Sequence, residues 1–206
     1  MDEHFLQLNG LSLPILDSLS YESRLGISLK KNLHYFEKDA LIQELIAMTE
    51  WLDTQTALDD IALDYRIKSV DSIVSKYDRY FPDHQVRKVF NDILGFRAFC
   101  DQYDDLLLID APQFHVENVS LGKTVDDGYR GVHIYYQRSS SFYPIEIQYN
   151  TLYDRQLNNW LHDYLYKKNY PSSLGKEMRK MYEMGCIKSE KDFEEVLNSV
   201  LSGSKR

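Results

Sequence analysis

Apolar residues recur at helical spacing near the start of the chain, alternate with polar ones through the middle, and return to helical spacing in the last third. Leu29, Leu33, Phe36, Leu41, Leu45 and Met48 fall three to five apart. With Pro14 suited to a first helical turn, the pattern predicts helices over Asp17–Arg24 and Ser28–Trp51, broken near Gly26. Ile61–Ile67 alternates as a half-buried strand, Val70–Tyr80 reads as a helix, and Leu94–Phe99 is a short apolar run. Phe114–Val119, Val132–Gln137 and Tyr143–Tyr149 are further strands, with a turn-like stretch, VDDGYRG, between the first two. Helices over Leu152–Lys168, Leu174–Met184 and Glu190–Leu201 follow. The expected fold class is α+β, a sheet of about five strands flanked by helices. It forms a single domain, 1–206, with N-terminal helices at 1–58, a core at 59–168 and C-terminal helices at 169–206.

Composition bounds this picture. A chain of 206 residues that is 43% hydrophobic and 13% aromatic can bury its own core, which excludes low-complexity and disordered classes. No apolar run approaches the roughly 18 residues of a membrane span, and the chain opens on acids, so no membrane partner and a cytoplasmic location are expected. Cys100 and Cys186 have no metal-binding spacing and are expected to be reduced. The net charge of -8 disfavours a broad nucleic-acid coat. Charge is patterned, however: Asp101–Asp110 carries four Asp and no base, whereas Lys167–Lys180 carries Lys167, Lys168, Lys176, Arg179 and Lys180 against Glu177 alone.

The chemistry-bearing signal is polar residues inside apolar strands. Arg66 and Lys68 end the first strand, Asp92 and Arg97 flank and enter the second, and Glu146 and Gln148 share one face of the last while Ile145 and Ile147 share the other. Carboxylates suit a divalent metal such as Mg²⁺, and Arg and Lys suit phosphate oxygens. A solvated sheet face accounts for the same alternation. Phosphate-loop, dinucleotide, zinc-protease and serine-hydrolase motifs are all missing, and His133 and His162 read as structural or supporting groups rather than metal ligands.

Four segments in order resemble the synthetase domain of the RelA/SpoT family, in particular its small single-domain members. They are Tyr65–Ile73 with Lys76 and Arg79, Asn91–Arg97 as D-x-x-G-x-R, Gly128–His133 as G-Y-R-x-x-H, and Ile145–Gln148 as E-I-Q. The resemblance spans roughly Tyr65 to Lys168. It implies a nucleotidyltransferase-like mixed sheet and transfer of pyrophosphate from ATP to a ribose 3′-hydroxyl. By resemblance, Arg66 and Arg97 sandwich adenine, and Lys68, Ser72, Lys76 and Arg79 hold the triphosphate. Asp92 binds Mg²⁺, Glu146 is a second ligand or the base, and Gln148 and His133 position them. Tyr129, Arg130 and Arg155 lie on the acceptor side, with Tyr129 stacking under the acceptor base.

Departures narrow the acceptor. Asn118–Asp127, where such synthetases usually carry cations for the acceptor's own phosphates, offers Lys123 alone beside Asp126 and Asp127. Tyr149-Asn150-Thr151 follows E-I-Q where Arg is usual, Arg155 stands where Asn or His often faces guanine, and Leu161 replaces a Glu. These losses resemble the toxic small synthetases, whose acceptor is the 3′ CCA end of tRNA and whose action blocks aminoacylation and translation. The resemblance implies tRNA as substrate and a small cognate antitoxin as partner; an alarmone synthetase making (p)ppGpp or an adenosine analogue is the alternative. Lys30, Lys31, Lys167, Lys168, Lys176, Arg179 and Lys180 are the candidate tRNA-docking cations, and a solvated helix face accounts for them equally.

Overall fold

A computed structural model of the chain describes residues 4–203. Its elements are helices α1 His4–Gln7, α2 Leu13–Ser18, α3 Lys38–Leu52, α4 Val70–Tyr80, α5 Val86–Val89, α6 Asp104–Leu107, α7 Leu152–Tyr164, α8 Ser172–Glu183 and α9 Glu190–Gly203. The strands are β1 Asp64–Ile67, β2 Leu94–Phe99, β3 Phe114–Asn118, β4 Val132–Tyr136 and β5 Ile145–Asn150. They form one mixed sheet in the order β1-β2-β5-β4-β3, the α+β architecture expected from the alternation. No helix among the described residues is long and apolar enough to cross a membrane, and Cys100 and Cys186 are both free thiols.

The chain divides into two compact units. The first comprises residues up to Ala98 with Asp104–Glu117 and His133–Tyr149, and the second comprises Phe99–Tyr103, Asn118–Val132 and the residues from Asn150 onward. In the first, the three central strands send alternate side chains into the core: Leu94, Phe96 and Ala98 from β2, Ile134 and Tyr136 from β4, and Ile145, Ile147 and Tyr149 from β5 are buried. α1 packs Phe5 onto Phe114 and Tyr149, with ring centroids 5.5 and 6.4 Å apart. α3 contributes Leu41, Leu45, Met48 and Leu52, and also the buried Glu44. That carboxylate accepts from the Tyr143 hydroxyl (2.8 Å), the Ser23 hydroxyl (2.7 Å) and the Arg24 N–H (2.6 Å), so its charge is buried with partners.

The N-terminal region departs from the helical reading. α2 starts at Leu13 under a Ser12 cap and stops at Ser18, because residues 21–23 run extended beside the loop at 141–143: Tyr143 N–H donates to Tyr21 and Ser23 N–H to Ser141. The predicted helix from Ser28 begins only at Lys38, capped by Glu37. Leu29, Lys31 and Leu33 instead exchange backbone hydrogen bonds with His84, Val86 and Arg87. The apolar spacing in this stretch marked burial correctly, since Leu29, Leu33 and Phe36 are buried, but the backbone satisfies its hydrogen bonds across the chain rather than along it. β1 likewise starts at Asp64 rather than Ile61.

In the second unit α7, capped by Thr151, packs with α8 and α9 around Leu157, Trp160, Leu161, Met178 and Phe193. Ser189 and Asp192 open α9 with a reciprocal capping pair. The loop before β4 lies hard against α8: a Cβ at Gly128, whose φ is +87°, would stand 2.2 Å from the Gly175 carbonyl oxygen. Only glycine fits there on both counts. Arg179 locks this junction. It was expected on the docking surface, but its side chain is 2% exposed, donating to the Gly128 carbonyl (2.8 Å), Asp154 (2.7 Å) and Asn158 (3.3 Å). A buried cation with three acceptors is a structural element, and the docking assignment for Arg179 is corrected accordingly. Arg179→Leu leaves Asp154 without its counter-ion and is expected to cost about 3–5 kcal/mol. A thermal melt should fall by roughly 10 °C; an unchanged melt would show that the pair contributes nothing net.

Candidate active site

The polar face of the sheet in the first unit gathers the candidate residues. Arg66 on β1 stands opposite Gly95 on β2, and Asp64 opposite Arg97, so Arg66 and Arg97 sit on one face in diagonal register. Diagonal neighbours are roughly 7–8 Å apart. Arg66, Asp92, Gly95, Arg97, Glu146 and Gln148 line one open cleft. Gly95 sits close under this carboxylate: a Cβ there would lie 3.3 Å from Glu146 Oε2, a tight contact to which the side chain would have to yield.

Asp92 sits just before β2 and receives Lys68 on one carboxylate oxygen and Lys76 on the other, the latter at 2.9 Å. Arg66 is 4.0 Å away. Burial pushes the Asp92 carboxyl up, but Lys76 and Lys68 outweigh it and hold the group below the usual carboxylate range. Lys68 is itself lowered, first by burial and further by neighbouring Lys76 and Arg66, against the pull of Asp92. Lys68 is fixed by position: its N–H donates to the Ile93 carbonyl at 2.8 Å where β1 runs into α4. Ser72, Lys76 and Arg79 recur at i, i+4 and i+7 along α4, one helix face. Ser72 and Arg79 are exposed.

Glu146 is buried at 6% exposure and is held at both oxygens. Gln148 Nε2 donates to Oε2 at 2.8 Å, His133 Nδ1 lies 2.9 Å from Oε1, and the Tyr135 hydroxyl lies 3.2 Å from the same oxygen. The Tyr135 hydroxyl also reaches Glu117 Oε2 at 3.2 Å, and burial together with these two carboxylates pushes its ionisation far up. Tyr135 and Glu117 were missed in the sequence. His133 was associated with Glu146 by resemblance alone; the two-residue period of β4 carries Tyr135, two residues on, to the same face.

The residues fit the magnesium ion that the family resemblance implies. Asp92 and Glu146 offer hard oxygens to the same cleft, and Mg²⁺ is usually held by one or two carboxylates with water and substrate phosphates completing the shell.

The remaining candidates lie in the second unit, apart from Lys30 and Lys31, which are exposed in the first. Lys123 Nζ sits 5.0 Å over the Tyr129 ring and pairs with Asp127 at 2.6 Å. Arg130 forks onto Asp126 at 2.8 and 3.1 Å, while its carbonyl accepts from Asn150 and Asn158. The Arg155 guanidinium lies 5.2 Å over Phe99. Lys167, Lys168, Lys176 and Lys180 are exposed, with Lys167 paired to Asp163.

Among solved structures, the chain is similar to small alarmone synthetase 1 from Bacillus subtilis bound to its product pppGpp, at 20% identity over 81% of this chain and 90% of that one, with a TM-score of 0.43. It is also similar to small alarmone synthetase 2 from Bacillus subtilis (19% identity, 82% and 99% covered, TM-score 0.44). A GTP pyrophosphokinase family protein from Streptococcus pneumoniae is a third (17% identity, 80% and 90% covered, TM-score 0.39). At these values the likeness carries no argument about activity. No family model and no curated protein matches the chain.

Gly95→Ala forces the Glu146 carboxylate to give by a few tenths of an ångström. The melting temperature should stay within a few degrees while any reaction that uses Glu146 slows by about tenfold. Paired melts and turnover assays check this, and unchanged turnover would show that the position of this carboxylate is not critical.

Proposed function

We propose that the chain is an ATP-dependent pyrophosphokinase that transfers the β,γ-diphosphate of ATP to a ribose 3′-hydroxyl. The observation that carries this reading is the convergence of Asp92, Glu146, Arg66 and Arg97, from three of the four RelA/SpoT-like segments, on one cleft. Arg66 and Arg97, on one face in diagonal register and both lining the cleft, are the planar guanidinium groups proposed to take adenine between them. Lys68, Lys76, Ser72 and Arg79 then face the phosphates from the end of β1 and along α4.

In the reaction the acceptor 3′-oxygen bonds to the β-phosphorus as the bridge between the α- and β-phosphoryl groups breaks, and AMP leaves. Glu146 takes the acceptor's proton. Gln148, His133 and Tyr135 hold its two oxygens in place, so that little reorganisation is needed at the moment of transfer. Bound Mg²⁺ supplies charge neutralisation on the phosphoryl oxygens. Lys68 and Lys76 add positive charge beside Asp92.

For the acceptor we propose the 3′ CCA end of tRNA, which makes the protein a translation-inhibiting toxin with a small neutralising antitoxin as partner. Support comes from the loop before β4. Its cations, Lys123 and Arg130, are paired with Asp127 and Asp126, which leaves little positive charge for the 5′-phosphates of a free guanine nucleotide. A terminal adenosine has no such terminal diphosphate to bind. Exposed Lys30, Lys31, Lys167, Lys168, Lys176 and Lys180 are the cations proposed to meet the tRNA backbone.

Incubation with γ-labelled ATP and either tRNA or GDP decides the acceptor. Label is expected on tRNA, and label on the guanine nucleotide alone would favour an alarmone synthetase instead. Asp92→Asn and Glu146→Gln should each lower transfer by at least about a hundredfold. Undiminished transfer in either would overturn the role given to that carboxylate.

A further inference from the structure

A second cavity opens on the polar face in the first unit, with a volume of about 570 Å³. That lies inside the roughly 300–1,000 Å³ typical of ligand sites. One hydrogen bond joins it to the cleft above: Tyr135 lines this cavity, and its hydroxyl lies 3.2 Å from Glu146, which lines the other. Nothing in the phosphate-transfer step uses the rest of its lining.

Three kinds of group meet there. Arg87 and Lys88, adjacent on α5, supply cations suited to a phosphate. The His115 and Tyr135 rings lie nearly parallel, 22° and 6.2 Å apart, and present aromatic faces of the kind on which bases stack. Glu117, with the Asn91 amide, offers acceptors for an exocyclic amine, as a carboxylate does for cytosine N4. Phosphate, ring and amino group together describe one nucleotide carrying an amino base.

We propose that this cavity holds the nucleotide immediately 5′ of the modified one, so that the enzyme reads the acceptor strand beyond its terminal residue. The inference rests on Glu146 taking the proton of an RNA 3′-hydroxyl, because a residue covalently joined to that nucleotide is then delivered beside the Tyr135 wall. The cavity favours cytidine over uridine at this position, since uridine has no amine for Glu117. A free nucleotide would be recognised by the same groups, and the test separates the two sources.

The test uses the full chain and fluorescence anisotropy with a 5′-labelled single-stranded RNA ending in CCA, compared with the same RNA abasic at the residue before the terminal adenosine. Loss of that base should weaken binding by about tenfold in the unaltered protein. In His115→Ala the same change should matter by less than about twofold. His115 and Glu117 are both exposed, so neither substitution removes core packing. Glu117→Gln, which keeps the shape, should erase a preference for cytidine over uridine at that residue.

An abasic effect of equal size in both proteins, or no binding of the RNA, overturns the proposal. So does competition by free CMP at the concentration at which the RNA itself binds, which would assign the cavity to a free nucleotide. The reading on which it depends fails differently. Pyrophosphate label on RNA without the coupling sinks only the cavity assignment, whereas label confined to GDP sinks the tRNA reading whatever the anisotropy gives.

Discussion

Burial of Glu146 is the constraint on which the rest of the site depends. The two-residue period of β5 sends Ile145, Ile147 and Tyr149 into the core and leaves Glu146 on the opposite face, 6% exposed. A carboxylate there is tolerable only with donors on both oxygens. Gln148 from the same strand and His133 and Tyr135 from β4 supply them, and Gly95 on β2 leaves the space in which the group stands. One strand thus ties the apolar core to the reactive face, and a slip of one residue in its register would exchange the two.

Asp92 solves the matching problem with charge. Its two oxygens take Lys68 and Lys76, which come from the end of β1 and the second turn of α4, so the short β1-to-α4 connection fixes the cations that ATP would meet. In the second unit the same logic serves structure instead. Arg179, Asp154 and the Gly128 carbonyl form a buried junction, while Arg130 and Lys123 are taken up by Asp126 and Asp127. Cations that look alike in sequence therefore divide between holding the loop before β4 and remaining exposed on the helices.

Much of this was legible in the sequence where a period and a chemical type agree. The strand at Leu94–Phe99 was read from a short apolar run and the one observed at Ile145–Asn150 from Tyr143–Tyr149, and their polar members, Arg97, Glu146 and Gln148, stand out because they break an apolar pattern. Helix α4 was read at its observed limits, Val70–Tyr80. The N-terminal stretch was not, because Leu29, Leu33 and Phe36 have helical spacing while their backbone pairs with residues 84–87, a partner that no local pattern announces. Tyr135 stayed hidden because it sits beside Tyr136 in an aromatic run that looks like core throughout, although only Tyr136 reaches the apolar side. Arg179 was misread for the opposite reason: a base within a basic segment looks exposed, and its acceptors at Gly128, Asp154 and Asn158 come from distant segments.

The proposed reaction moves a diphosphate through this cleft rather than a single phosphoryl or a nucleotidyl group. The most direct measurement is the identity of the small product released when the protein, ATP and Mg²⁺ meet a tRNA acceptor, followed with ATP labelled separately at the α- and γ-positions. Attack at the β-phosphorus predicts AMP, formed one for one with γ-label on the acceptor and with no α-label there. Release of ADP, or of inorganic pyrophosphate with α-label on the acceptor, would contradict it.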